Sequence, residues 1–368
     1  MARDPVAERE SLPATAPELG IIEGFYGRPW TWEERTGTMR FAAGHGYEFY
    51  LYAPKADAFL RRRWTEEHPP EARNALTRFG QACREAGVRF GVGLSPYEIF
   101  AGFDAAARRA LAAKLAFLDS LGVDDLALLF DDMRGDSPDL AARQLEVVGW
   151  AMERSRASRL FVCPSYYSDD PVLDRVFGDR PPGYLEELGE TLGDGIEVFW
   201  TGPEVVTRAY SASHLRRVAV QLRRRPFLWD NYPVNDGHRM SQYLHLRGVT
   251  GRPASLAGLV AGHGVNPALQ STLTRIPLLT LVDSYRLAGA YDYAESFRRA
   301  ACAVLGEPLG HRLLEDLLVL QDVGLDRLGE KEDLLRERWS GHDHPGAREI
   351  VAWLDGAYRI TDEIVQTQ

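Results

Sequence analysis

Short apolar runs alternate with helical stripes from about residue 18 to about residue 285, and this alternation is the dominant pattern of the chain. The first run covers residues 19–24. Thr31, with Glu34 three residues on, then makes a capping box that opens a helix. The second run, 47–52, ends at Ala53-Pro54-Lys55. In the helix after it, Ala72, Ala75, Leu76, Phe79, Cys83 and Ala86 fall on one stripe, and Gly87 stops it. The third run is 88–94, after which Asp104 caps a helix carrying Leu111, Leu115 and Leu118 that closes at Gly122. The fourth, 126–130, leads straight into Asp131-Asp132, with Ser137-Pro138 predicted as N-cap and first residue of the next helix. Runs at 160–164, 196–200 and 226–231 follow, the second of them with a helix from about Ser213. The eighth run is 256–260, with a helix after Pro267.

Strand and helix alternating about eight times predict an α/β protein, a (β/α)8 TIM barrel over residues 18–288. Beyond about residue 290 the strands stop. Stripes such as Leu313, Leu314, Leu317, Leu320 and then Ile350, Val351, Leu354 predict a C-terminal helical region over 289–368. It either packs on the barrel or offers a homodimer surface. Residues 1–17 are polar and rich in Pro and Ala, which predicts a disordered tail.

Composition narrows the function classes. A net charge of -10 argues against a nucleic-acid partner, which would need a basic face. Cys83, Cys163 and Cys302 are scattered with no CxxC pair, which fits buried thiols in a reducing compartment better than a disulfide frame. Neither a signal-peptide core nor a membrane-length apolar run is present, so the expectation is a cytoplasmic enzyme with no membrane partner.

Polar or aromatic residues follow most of the apolar runs: Glu23-Gly24-Phe25-Tyr26, Lys55, Asp131-Asp132, Tyr166-Tyr167, Trp200-Thr201, Asp230-Asn231 and Asn266. Each alone reads equally well as turn chemistry. In a parallel barrel the strand ends converge on one face, so together they predict one pocket. Aromatics with Asp, Asn and Lys suit a polyhydroxylated ligand, and two carboxylates suit glycoside cleavage. Adjacent carboxylates, however, reach the same side of a substrate. Either the substrate supplies its own nucleophile, such as a neighbouring acetamido oxygen, or the pair holds a divalent metal. A metal would require further ligands, for which Glu23 and Asp230 are available; the amide, aromatic and Lys groups at the other strand ends favour no metal and no cofactor. His342-Asp343-His344, between Gly341 and Pro345, reads as an exposed turn.

The strings Ile22–Trp30, Tyr50–Lys55, Leu129–Asp132, Trp200–Pro203 and Trp229–Asn231 resemble glycoside hydrolase family 84, the O-GlcNAcases and bacterial β-N-acetylglucosaminidases once described as hyaluronidases. The resemblance runs in order over roughly residues 20–285, with nothing comparable beyond about 290. It implies a (β/α)8 barrel and retaining, substrate-assisted hydrolysis of terminal β-linked GlcNAc through an oxazoline, without metal. Carried over by position, Asp131 orients and polarises the acetamido group and Asp132 is the general acid/base. Tyr167 hydrogen-bonds the developing oxazoline. Trp229 and Cys163 line the acetamido-methyl pocket. Gly24 through its backbone, Lys55, Asn231, Asp236 and Asn266 contact the sugar hydroxyls.

This chain departs from the family at Tyr166 and at Met133-Arg134-Gly135, expected on the leaving-group side, which bears on substrate preference. Trp30 and Trp32 are expected to pack on the barrel surface, and Arg28 to form an ion pair at the pocket floor. Two rivals remain: a carbohydrate-binding barrel without turnover, and a metal-dependent barrel lyase or aldolase. The aglycone (protein, glycan or small glycoside) stays open.

Overall fold

The computed structural model describes residues 16–361; nearly all of the expected N-terminal tail lies outside the described residues. Eight parallel strands close into a barrel in sequence order: β1 Glu18–Glu23, β2 Tyr47–Tyr52, β3 Arg89–Leu94, β4 Asp125–Leu129, β5 Arg159–Cys163, β6 Ile196–Trp200, β7 Phe227–Asp230 and β8 Gly262–Val265. The ring shuts where Ile21 of β1 registers with Val265 of β8. Around it run α1 Trp32–Gly44, α2 Pro70–Glu85, α3 Ala105–Ser120, α4 Leu140–Met152, α5 Pro171–Phe177, α6 Tyr184–Thr191, α7 Ala212–Leu222 and α8 Arg275–Leu287. The (β/α)8 barrel expected from the alternating pattern is therefore the fold.

The local signals act as their chemistry dictates. Thr31 and Glu34 exchange both capping-box bonds at the start of α1. Asp104 accepts from the Ala106 and Ala107 N–H groups to start α3. The stripe of α2 buries Leu76, Phe79 and Cys83 against the barrel, and Gly87 follows the helix end with a positive φ.

 That φ of +68° at Gly87 is left-handed backbone, which glycine adopts at no steric cost.

Two expectations are corrected. The eighth strand is not 256–260, of which 256–259 belong to the 3-10 helix Ala254–Leu259; it is Gly262-His263-Gly264-Val265. The reason lies inside the barrel, where Phe49, Phe161, Phe199 and Phe227 stack as a plug, Phe161 and Phe199 lying 5.1 Å apart. A Cβ on Gly262 would sit 2.2 Å from the Phe227 ring, and one on Gly264 2.3 Å from Ile22. This strand gives up its side chains so that its neighbours can fill the centre, and an apolar run cannot mark it. Helix α4 likewise starts at Leu140 with Asp139 as N-cap and no side-chain cap bond; Ser137-Pro138 lie in the turn before it.

At the N-terminal end of the barrel, Glu18, Arg89, Asp125 and Arg159 close the bottom with ion pairs. The opposite end stays open, and the aromatic plug is its foundation: Trp229 stands edge-on to Phe199 at 5.2 Å.

After α8 come α9 Tyr293–Leu305, α10 Glu307–Asp322, α11 Lys331–Ser340 and α12 Pro345–Leu354. They bury a second apolar cluster that includes Phe25, Trp30, Leu269 and Leu273 from the loops after β1 and β8. Glu349 of α12 accepts from the Ser271 hydroxyl and the Thr272 and Leu273 N–H groups, which ties this helix to the loop after β8. All three cysteines are free and buried. Among the described residues, no helix is long and apolar enough to cross a membrane.

Candidate active site

The strand ends meet in a cavity of about 310 Å³ at the C-terminal face. All ten predicted residues line it: Gly24 after β1, Lys55 after β2, Asp131 and Asp132 after β4, Cys163 at the end of β5 and Tyr167 after it, Trp229 in β7 with Asn231 and Asp236 after it, and Asn266 after β8.

Successive residues of an extended chain point to opposite sides, so two adjacent acids in one cavity require a backbone twist. Asp132 supplies it with a φ of +57°, left-handed backbone that in a non-glycine residue costs about 1–3 kcal/mol. Lys55 pairs with Oδ2 of Asp131 and lies 3.6 Å from Oδ2 of Asp132. Burial would push this ammonium down, but the two carboxylates outweigh it and hold its pKa above the ordinary range. Both oxygens of Asp132 accept phenolic hydrogens, from Tyr26 at 2.7 Å and from Tyr167 at 3.1 Å. Burial and the Asp132 charge push the Tyr26 phenol well up, so it stays a donor. Oδ1 of Asp131 is different: it is buried and has no hydrogen-bond partner. A buried carboxylate oxygen without a donor is costly.

The remaining wall is amide and aromatic. The Trp229 indole N–H donates to Oδ1 of Asn231 at 3.1 Å, and Nδ2 of Asn266 donates to the same oxygen at 2.9 Å. Nδ2 of Asn231 donates to the Val205 carbonyl at 2.9 Å. The Gly24 N–H reaches Oδ1 of Asn266 at 3.3 Å, and a Cβ on Gly24 would lie 2.2 Å from the Trp229 ring. Asp236 accepts the Tyr26 N–H at 2.7 Å. Cys163 is buried against the acid pair, and burial with the Asp131 charge pushes its thiol well up, so it serves as a neutral apolar wall.

Glu23 and Asp230, the further ligands a metal would need, are committed below the cavity. Glu23 takes Arg35 on both oxygens and the Tyr50 hydroxyl, all at 2.6 Å. Asp230 takes Arg252 at 2.7 and 2.9 Å and His263 at 3.0 Å; burial alone would raise its pKa, and Arg252 drives it far down instead.

Other expectations resolve as follows. Trp30 donates to the Leu269 carbonyl and Trp32 stacks on Tyr52, so both pack rather than line the cavity. Arg28 is a correction: it is exposed over the Tyr358 ring at 5.4 Å, and the ion pair beneath the cavity belongs to Arg35. Tyr166 is another. Its hydroxyl donates to the Gly178 carbonyl and its ring packs on Tyr184, so it is buried behind the loops and does not line the cavity. His342-Asp343-His344 is a turn in which His344 caps α12. Reading strand ends placed Thr201 on the wall but missed Tyr26 as a partner of Asp132, along with Val205, His238 and Arg239 on the wall and Arg61 beside the acid pair. Tyr26 stood in a quoted string, two residues after Gly24; the others sit in loops without a pattern of their own.

A family model described as beta-N-acetylglucosaminidase matches residues 19–320. The match continues past 290 into α10, further than the quoted strings reach. The protein O-GlcNAcase of Mus musculus is 30% identical over 276 residues, 73% of this chain and 30% of that protein, so this chain spans well under half of that relative. The fold superposes on an O-GlcNAc hydrolase mutant of Thermobaculum terrenum with a TM-score of 0.77 and 27% identity, covering 93% of this chain and 81% of that one. For CpGH84B the TM-score is 0.71 with 26% identity, covering 93% and 60%.

Proposed function

This chain belongs to the β-N-acetylglucosaminidase family, glycoside hydrolase family 84, and on that premise we propose that it is a retaining exo-β-N-acetylglucosaminidase of the O-GlcNAcase type. Terminal β-linked GlcNAc is hydrolysed by substrate-assisted catalysis. The observation that carries this reading is the pair of adjacent acids on one cavity wall, Asp131 paired with Lys55 and Asp132 held by two phenols.

In this mechanism the Asp131 carboxylate accepts the N–H of the 2-acetamido group and turns its carbonyl oxygen toward the anomeric carbon. That oxygen attacks as the glycosidic bond breaks, closing an oxazoline. Asp132 gives a proton to the leaving oxygen, then takes one from the water that reopens the ring. The Tyr167 hydroxyl donates to the acyl oxygen in place of its present bond to Asp132. Trp229, Cys163 and Tyr167 enclose the methyl group, while Gly24, Lys55, Asn231, Asp236 and Asn266 serve the sugar hydroxyls. Positive charge that builds on the closing ring faces Asp131, whose other oxygen pairs with Lys55.

A binding barrel without turnover would not need Asp132 in a strained backbone conformation. A metal-dependent lyase would need Glu23 or Asp230, whose oxygens are already bound by arginines. Aryl β-glycosides of GlcNAc, GalNAc and glucose, each with and without chelator, test the reading. GlcNAc release unaffected by chelator is expected. Turnover of the glucoside at a comparable rate, or loss of activity on chelation, would overturn it.

A further inference from the structure

Arg61 belongs to neither the acid pair nor the cavity wall, yet it is only 5% exposed. Its Nη2 donates to the main-chain carbonyl of Asp132 at 3.4 Å. The guanidinium also faces the rings of Tyr26 at 5.7 Å and Tyr97 at 5.4 Å. Tyr26 in turn bonds the Asp132 carboxylate. Arg61 thus reaches Asp132 twice, at the backbone directly and at the side chain through the ring of Tyr26.

The loop that carries Arg61 is itself held. The Ser95 N–H donates to the Leu60 carbonyl at 2.8 Å, and the Lys114 ammonium donates to the carbonyls of Phe59 at 3.0 Å and Glu66 at 2.7 Å. Nε of Arg61 is buried without a partner, so burial alone gives the fold no return on this side chain. What the side chain does accomplish is at Asp132, a residue in left-handed backbone whose carbonyl meets this loop.

We propose that Arg61 is a positioning residue for Asp132: it receives the carbonyl of the left-handed turn and braces Tyr26, so that the second acid of the pair faces the leaving oxygen. A lysine would keep the charge but has no planar group to stack between two rings while its fork reaches a carbonyl. The inference rests on the assignment of Asp132 as the acid, and the test separates the two.

Kinetics of wild type, Arg61→Met and Arg61→Lys are compared on 2,4-dinitrophenyl and methyl β-GlcNAc, together with inhibition by GlcNAc-thiazoline. Misplacing the acid should lower kcat/KM for the methyl glycoside by about 10- to 100-fold in Arg61→Met, within the range general acid catalysis supplies. The dinitrophenyl group needs no protonation to leave, so kcat/KM for that glycoside, which reports the steps up to its departure, should change by less than about threefold, with thiazoline inhibition nearly unchanged. Arg61→Lys should show the same split with a smaller loss, and it carries the test if the methionine variant does not fold. Equal losses on both glycosides, or no loss on the methyl glycoside, would overturn the proposal. A wild type inert on both would instead refute the glycosidase reading.

Discussion

Replacing Asp131 by Asn keeps the size of the side chain and removes its charge. In the structure Oδ2 of this carboxylate is bound by Lys55 while Oδ1 is buried without a hydrogen-bond partner. The variant can still offer an amide oxygen to the acetamido N–H, so the ground-state complex loses only part of one hydrogen bond. A charged acceptor is worth roughly 1.5–3 kcal/mol against about 1 for a neutral one, a modest change in KM. The transition state loses more, because positive charge grows on the closing ring and the carboxylate that faces it is gone. Loss of one preorganised electrostatic contact costs about 10²–10³ in kcat, or roughly 2.7–4 kcal/mol. Lys55 is also left with Asp132 at 3.6 Å as its carboxylate partner. The assay is kcat and KM on 4-nitrophenyl β-GlcNAc, with thiazoline inhibition as a second readout and thermal unfolding as the control for folding. Thiazoline affinity should fall far more than affinity for GlcNAc itself. A variant within threefold of wild type in kcat, or one that loses both affinities equally, would refute the reasoning.

Asp132→Asn should harm alkyl glycosides by about 10²–10⁴-fold and activated phenyl glycosides far less; equal losses across leaving groups would remove Asp132 from the acid role. Gly24→Ala would put a methyl 2.2 Å from the Trp229 ring, so Trp229 must shift; KM should rise steeply, and an unchanged KM would show that the methyl pocket is not formed by that ring. N-acyl groups one methylene longer than acetyl should still be accepted, at a cost of roughly 1–3 kcal/mol in kcat/KM, while bulky ones are rejected; indifference to acyl size would contradict the enclosure by Trp229, Cys163 and Tyr167. Burial pulls the His245 imidazole from 6.5 down to about 4. Between those values the unfolded chain binds the proton that the folded chain does not, so stability is present above pH 6.5 and is lost as pH falls toward 4, by up to ~3 kcal/mol. Urea unfolding at pH 7 and pH 5 checks this, with His245→Gln expected to flatten the difference; an equal slope in the variant would exclude His245 as its source.

Much of the barrel was legible because a buried parallel strand must be apolar on both faces, and seven of the eight strands obey that rule closely enough to read. Strand β8 breaks it, since Gly262 and Gly264 yield their space to Phe227 and Ile22, and the apolar run just before it is a 3-10 turn. The candidate site was legible for the same reason: strand ends converge whatever the loops do, which brings Gly24, Lys55, Asp131 and Asn266 together across the chain. Arg28 and Tyr166 were misplaced because adjacency in sequence does not fix which side of a loop a side chain takes. Arg61 had no signal at all. It acts on the main-chain carbonyl of Asp132, a residue in left-handed backbone, and no pattern of residue types announces that conformation.

The central claim is that the substrate's own acetamido oxygen is the nucleophile, and it is tested most directly by weakening that oxygen alone. Aryl β-glycosides bearing N-acetyl, N-fluoroacetyl, N-difluoroacetyl and N-trifluoroacetyl groups share one leaving group and differ in the basicity of the acyl oxygen. With the wild-type protein, kcat/KM should fall steeply along this series, and the first product seen by NMR should keep the β-configuration. A flat series, or an α-product formed first, would mean that water attacks the anomeric carbon directly, and the role given to Asp131 would be wrong.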